Sequence, residues 1–428
     1  MENRPMTYEE TGLNAQRIAR NDVNADGNSM TVPTQPNHEP SICFVSLNNF
    51  AALADDPRYG RIGGAEIQQA LIGRNLPRRG YRVTFITLDH GQDHETEIDG
   101  MRIITAYDPN VGIRILRFLH PRLTSLWRAM RKADADIYYQ RTQDSITGVV
   151  AAFCRCYQKK FVFASASEFD CTSDFPYLPQ RHARILYRYG LRRAHLVIAQ
   201  TMMQQRLLRE NFSIDSVVIP NCAADYGSLD GAGMVASGRG RRVLWIGGFA
   251  PVKRLELLLD VAEHLGDLQF DVVGDGNRES EYVQCLLSRA KSLHNVCLHG
   301  KVPHARVHEF YRRAAALVCT SHAEGFPNVF LEAWAHGLPI VTTFDPDNLI
   351  VNNAMGIVAR DAEGLASGIR TLLGDPQRSR QISEAARQYY LENHTIDAVM
   401  PRYEKIFREI VNPTPSVAVK KCEETVCQ

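Results

Sequence analysis

Two carboxylates carry the strongest chemical signal in this sequence. Glu324 and Glu332, with seven residues between them, lie in the stretch Thr320-Ser-His-Ala-Glu-Gly-Phe-Pro-Asn-Val-Phe-Leu-Glu-Ala-Trp-Ala-His-Gly-Leu-Pro-Ile-Val-Thr-Thr343. The stretch follows an apolar run, opens a helix near Pro327 or Asn328 and closes it at Gly337. Glu324 thus falls in the loop ahead of the helix, and Glu332 roughly one turn inside it. The helix start between them offers unpaired backbone N–H groups and a positive dipole end, a seat for phosphate or hydroxyl oxygens. One carboxylate could take sugar hydroxyls and the other ribose hydroxyls. Spacing alone equally allows a plainer arrangement, in which Glu324 complements the helix dipole and Glu332 is an exposed helix residue.

The elements that must position these residues read as alternating strands and helices. Ile42 to Leu47, Tyr81 to Thr87, Met101 to Ala106, Asp136 to Tyr139, Phe161 to Ala164, His195 to Ala199 and Val217 to Ile219 are nearly continuous apolar runs. Runs of that kind predict strands covered on both faces, hence a parallel sheet with crossover helices. The alternation restarts with Arg242 to Gly247, Gln269 to Val273, Asn295 to Leu298, Ala316 to Thr320 and Pro339 to Thr343. The fold class is therefore α/β, with two Rossmann-like doubly wound domains facing an interdomain cleft. Ligands of open α/β sheets bind outside the carboxyl ends of the strands, so the site is expected between the domains. The expected organisation is a flexible leader (1–39), a first Rossmann-like domain (40–222), a Gly-rich linker (223–240), a second Rossmann-like domain (241–395), a C-terminal helix (396–411) and a tail (412–428).

The embedding of the two acids in Ser-x-x-Glu-Gly-Phe-Pro, with Glu332-Ala333 and then Gly-Leu-Pro-Ile-Val, resembles the retaining glycosyltransferases of family 4, whose fold is the two-Rossmann GT-B arrangement. The resemblance implies that Glu324 binds the transferred sugar, that Glu332 binds the nucleotide ribose, and that Gly325, Phe326, Pro327 and Asn328 touch sugar and phosphate. In Val243-Leu-Trp-Ile-Gly-Gly-Phe-Ala-Pro-Val-Lys-Arg254, a strand leads into a helix that begins with two cations. Departure of a nucleoside diphosphate develops negative charge, and Lys253 is the candidate that stabilises it. Related enzymes carry an Arg five residues before this Lys, where Gly248 stands here. Arg254 either supplies the second charge or is a solvated residue of the first turn. Gly63-Gly64-Ala65-Glu66 matches a loop with which related enzymes meet the donor diphosphate, and glycines there let the backbone approach an anion. Val302, in the loop after Gly300, is expected at the nucleobase by the same resemblance. Arg141, closing Asp136-Ile-Tyr-Tyr-Gln-Arg, is a candidate cleft residue, although the His often found near that position is missing.

Composition excludes several other classes. The hydrophobic fraction of 44% and the charged fraction of 23% belong to an ordinary globular chain, and 49 Lys and Arg against 48 Asp and Glu give no global pull toward nucleic acid. Ten cysteines are scattered without facing CxxC pairs, which argues against zinc and for a reducing compartment. No metal and no cofactor are expected, the nucleotide-sugar being a substrate, and Asp134-Ala-Asp136 and Asp345-Pro-Asp347 read as loop chemistry rather than metal ligands. The polar start and the lack of a long apolar run predict a cytoplasmic protein. Residues 112–132 interleave basic and apolar side chains, so peripheral contact with the inner membrane surface is possible there; Arg181, Arg184, Arg188, Arg192 and Arg193 form a second basic stripe. A packed helix with a solvated basic face fits the same pattern. The expected activity is transfer of a sugar from a nucleotide-sugar donor to a glycan or lipid-linked acceptor, in cell-surface polysaccharide or glycolipid synthesis. The alternatives are a non-catalytic sugar-nucleotide-binding protein and a GT-B nucleotide-sugar epimerase.

Overall fold

Alternate residues of each central strand are buried on opposite faces, which is why the runs read as continuously apolar. In β1 (Ser41–Val45), Cys43 and Val45 join one core while Ile42 and Phe44 join the other. The computed structural model describes residues 39–60, 62–111, 118–176, 178–225 and 241–412. The leader up to residue 38, most of the Gly-rich stretch and the tail from residue 413 lie outside the described residues.

The first sheet adds β2 (Arg82–Thr87), β3 (Glu95–Ile98), β4 (Met101–Thr105), β5 (Ile137–Arg141), β6 (Lys160–Ala164), β7 (Leu196–Ala199) and β8 (Val217–Val218), in the order β3-β4-β2-β1-β5-β6-β7-β8. All neighbours are parallel except β3 and β4. That antiparallel edge corrects the expectation of a wholly parallel sheet. Its turn, Asp99-Gly100, has positive φ at both residues, the geometry of a tight two-residue hairpin.

The second sheet contains β9 (Arg242–Ile246), β10 (Gln269–Val273), β11 (Val296–Gly300), β12 (Ala316–Cys319), β13 (Ile340–Thr342) and β14 (Gly356–Val358), ordered β11-β10-β9-β12-β13-β14 and parallel throughout. In each sheet the strand order reverses beside the first strand, β1 or β9, so a crevice opens at the carboxyl ends of both. After the second lobe is complete, the helix Ile396–Val411 buries Val399, Met400, Tyr403 and Phe407 in the core of the first. The chain therefore crosses between lobes twice.

Candidate active site

The helix Asn328–Ala335 follows β12 through the loop Thr320 to Pro327, and Phe330, Leu331, Ala333, Trp334 and Ala335 are all buried. A helix covered on every side leaves no solvated face, so Glu332 is buried too, contrary to the exposed alternative. A buried carboxylate needs hydrogen-bond partners. His304 Nε2 lies 3.2 Å from Glu332 Oε1, and the Tyr311 hydroxyl donates to Oε2 at 2.8 Å. That bond to Glu332 holds the His304 imidazole above its ordinary pKa; burial opposes it, the charges of Glu332 and Asp55 reinforce it, and Arg74 works against it.

Glu324, in the loop, pairs with the Lys253 ammonium. Lys253 closes the short turn Pro251–Lys253 after β9, and its carbonyl accepts from Thr320 Oγ1 at 2.6 Å. The two loops are thus tied together by backbone as well as by charge. Arg254 has a left-handed backbone (φ 47°) and donates from Nε to the Thr320 carbonyl at 2.8 Å. It does not line the cavity described next, and its guanidinium fastens the two loops instead.

A cavity of about 880 Å³ lies between the lobes. From the second lobe it is lined by Gly248, Lys253, Gly274, Val302, Glu324, Gly325, Phe326, Pro327, Asn328 and Glu332, and from the first by Gly63, Gly64, Arg141, Ala166, Gln200 and Asn221. Every site residue expected from sequence except Arg254 is therefore on one surface. The floor is close-packed: Gly274 has φ 143°, and a Cβ there would sit 1.8 Å from the Gly247 carbonyl.

Sequence reading missed the amides that hold the lobes together. Gln200 Oε1 accepts from the Phe326 amide at 2.9 Å; Asn221 Nδ2 reaches the Phe326 carbonyl at 3.3 Å and Asn328 Oδ1 at 3.1 Å. Asn328 Nδ2 donates to the Gly64 carbonyl at 3.0 Å, and Gln68 Nε2 to Asn328 Oδ1 at 3.2 Å. Behind them, His394 donates from Nδ1 to the Asn221 carbonyl at 2.8 Å, and full burial pushes its pKa down to about 4.

The two Asp-x-Asp pairs are structural. Asp134 pairs with Lys159, and Asp136 accepts from the Ser41 amide and hydroxyl. Asp345 accepts the amides of Ile350 and Val351. Asp347 crosses to the first lobe, where its oxygens take the Met202 and Met203 amides at 2.7 and 2.9 Å. Among the described residues, one trio could share a metal ion, Asp271, Cys297 and His299. Asp271 already pairs with the guanidinium groups of Arg242 and Arg313, a setting that disfavours a further cation.

Residues 112–117 of the basic stripe lie outside the described residues. In the helix Thr124–Ala133, Leu126, Ala129 and Met130 are buried in the first lobe. That apolar face is occupied by the protein's own core, which leaves only the basic rim. Among the described residues, no helix is long and apolar enough to cross a membrane.

Two parallel-sheet lobes around such a cleft define the GT-B class of glycosyltransferases. Residues 62–224 match the family model described as Glycosyltransferase Family 4, and residues 240–375 match Glycosyl transferases group 1. The chain belongs to this family. It is similar to an amylovoran biosynthesis glycosyltransferase of Erwinia amylovora, with 26% identity over 213 residues, 47% of this chain and 59% of that relative's length. An uncharacterised Haemophilus influenzae glycosyltransferase is 22% identical over 81% of this chain and 97% of its own. Among solved structures, sucrose-phosphate synthase of Thermosynechococcus elongatus superposes with a TM-score of 0.69 at 17% identity, over 87% of this chain and 99% of the other. Anabaena HepE, solved with UDP and glucose, gives 0.67 at 18% identity, over 85% and 98%. At these identities the structural likeness concerns the fold.

Proposed function

We propose that this glycosyltransferase moves a sugar from a nucleotide-sugar donor to an acceptor hydroxyl with retention at the anomeric carbon. The observation that carries the reading is the convergence of Glu324, Lys253 and Glu332 on one interlobe cavity large enough for a nucleotide-sugar. HepE is described with UDP and glucose, and the Erwinia relative is named for polysaccharide biosynthesis, which support a donor and a product class of this kind.

In this reading Glu332 accepts the ribose hydroxyls, its position fixed by His304 and Tyr311, while Glu324 accepts hydroxyls of the transferred sugar. Gly63, Gly64 and the start of the helix at Asn328 meet the diphosphate, and Val302 borders the base. Before the donor arrives, Lys253 and Glu324 neutralise each other; the diphosphate then competes for the ammonium. The bond between the anomeric carbon and the phosphate oxygen breaks while the acceptor oxygen attacks from the same face, and the acceptor proton passes to the leaving phosphate oxygen. Lys253 stabilises the charge developing there. No step of this scheme requires a metal. The acceptor, a glycan or a lipid-linked glycan, enters from the first lobe, and the enzyme works at the cytoplasmic face of the membrane, with the basic rim of residues 118–132 as its electrostatic contact.

The test follows donor consumption with acceptor extracts, for the full chain and for Glu324→Ala. Acceptor-dependent release of nucleoside diphosphate, lost in a folded Glu324→Ala variant, is the expected result. Inversion of the donor without acceptor, or identical turnover in the variant, would overturn the reading.

A further inference from the structure

Arg141 ends β5 at the mouth of the cleft and is only 4% exposed. Its Nη2 donates to Asn221 Oδ1 at 2.8 Å, whereas its Nε is buried without a hydrogen-bond partner. Asp170 feels its charge, yet the Asp170 oxygens are occupied by the amides of Gln143, Ala166 and Ser167. Tyr139 feels its charge as well, but Nε keeps an unmet donor, and a buried guanidinium with an open donor beside a cavity is suited to an anion supplied from outside.

The surroundings say which anion. Arg141 lines the cavity together with Lys253 and Lys301. Lys253 is neutralised by Glu324, and Lys301, at the exposed rim, donates to the Gly60 carbonyl. Asn221 links the guanidinium directly to Asn328, and Asn328 bonds Gly64. Two helix starts, Gly64–Asn75 and Asn328–Ala335, are thereby pinned together one side chain away from the buried guanidinium. Positive helix ends and a guanidinium with an open Nε donor on one cavity wall fit a phosphate group.

We propose that Arg141 reaches from the first lobe to the diphosphate of the donor and is the second cation of the site, acting across the cleft as Lys253 acts from the second lobe. The inference rests on the nucleotide-sugar reading above. It gives the charge balance a physical solution: a diphosphate ester brings two negative charges and the departing nucleoside diphosphate gains more, which a lysine already offset by Glu324 does not balance. It also ties donor binding to closure, because the anion bridges residues of both lobes.

Calorimetric titration of the full-length chain with UDP, GDP and ADP first selects the base. Wild type, Arg141→Gln and Arg141→Lys are then titrated with the matching nucleoside diphosphate and monophosphate. Arg141→Gln is expected to weaken the diphosphate at least about tenfold and the monophosphate less than about twofold, with Lys recovering part of the loss. Circular dichroism and thermal unfolding establish that each variant is folded. If the Gln variant does not fold, Arg141→Lys decides, with the same selective loss expected at smaller size.

Unchanged diphosphate affinity with reduced turnover would overturn the proposal and assign the guanidinium to an acidic group on the sugar or acceptor. Equal weakening of monophosphate and diphosphate would overturn it in favour of a scaffolding role through Asn221. If the wild type binds no nucleoside diphosphate at all, the nucleotide-sugar reading fails first and this inference with it.

Discussion

Gly325 sits where the lobes come closest, and replacing it with alanine tests whether that closeness matters. It is not one of the glycines with positive φ, so alanine brings no backbone strain. The added Cβ would lie 2.1 Å from the Ala166 carbonyl oxygen, 2.8 Å from its carbon and 3.0 Å from Gln200 Oε1. The carbonyl cannot step aside cheaply, because Asp170 holds the Ala166 and Ser167 amides at 2.6 and 3.0 Å. Relief to the 3.0 Å that real Cβ contacts respect requires the lobes to part by about 1 Å. Overpacking of this kind costs about 1–3 kcal/mol, and a misplacement of about 1 Å lowers turnover about 10²-fold. Steady-state measurement of kcat/KM for donor consumption, with small-angle scattering on the same samples, reads both effects. Gly325→Ala is expected to lose about two orders of magnitude in kcat/KM and to shift the donor-bound protein toward a larger radius of gyration. Activity within about twofold of wild type would refute the claim that the close approach of the lobes at Gly325 matters for turnover.

Two predictions concern pH. His394 stays neutral in the folded chain down to about 4, whereas an unfolded histidine takes up its proton near 6.5; the associated stability is present above about pH 6.5 and is lost as pH falls through the folded value. Denaturant midpoints should therefore reveal about 3 kcal/mol lost between about pH 6.5 and 4 in wild type and much less in His394→Asn, which keeps a donor for the Asn221 carbonyl; identical pH profiles would contradict the assignment. Glu168 behaves oppositely: burial first, and the Asp347 charge second, raise its carboxyl pKa. A raised acid supports the fold below the ordinary carboxyl range and ceases to do so as pH rises through the folded value, so Glu168→Gln should raise Tm near about pH 7 and leave it unchanged near about pH 4. An equal change at both would show that the glutamate acts by packing.

All strands but β3 and β14 were legible because burial on two faces writes itself as unbroken apolar runs, whereas the three residues of β14, Gly-Ile-Val, are only partly covered. The carboxylate pair was legible because both acids and the helix start belong to one local segment. β3 escaped because its four residues, Glu-Thr-Glu-Ile, form a polar edge, although Asp99-Gly100 is a hairpin signal that could have revealed it. Gln68, Gln200, Asn221 and Asn328 meet only through the tertiary fold, across sequence separations of up to 260 residues, and no spacing rule connects them. Arg254 read as a second phosphate cation because it follows Lys253 in the sequence; its left-handed backbone turns it to the Thr320 carbonyl instead. Asp347, read from sequence as loop chemistry, has a structural use in joining the lobes.

The most direct test of the central claim is thermal unfolding of wild type and Glu332→Ala with UDP, GDP, ADP and their sugars. A ligand at about 100 times its Kd adds about 2.7 kcal/mol to the stability of a protein that binds it only when folded. One nucleotide series should raise Tm in wild type, and the shift should vanish in Glu332→Ala. Failure of all three series to move the wild-type transition, or a shift that survives the loss of Glu332 undiminished, would contradict the account.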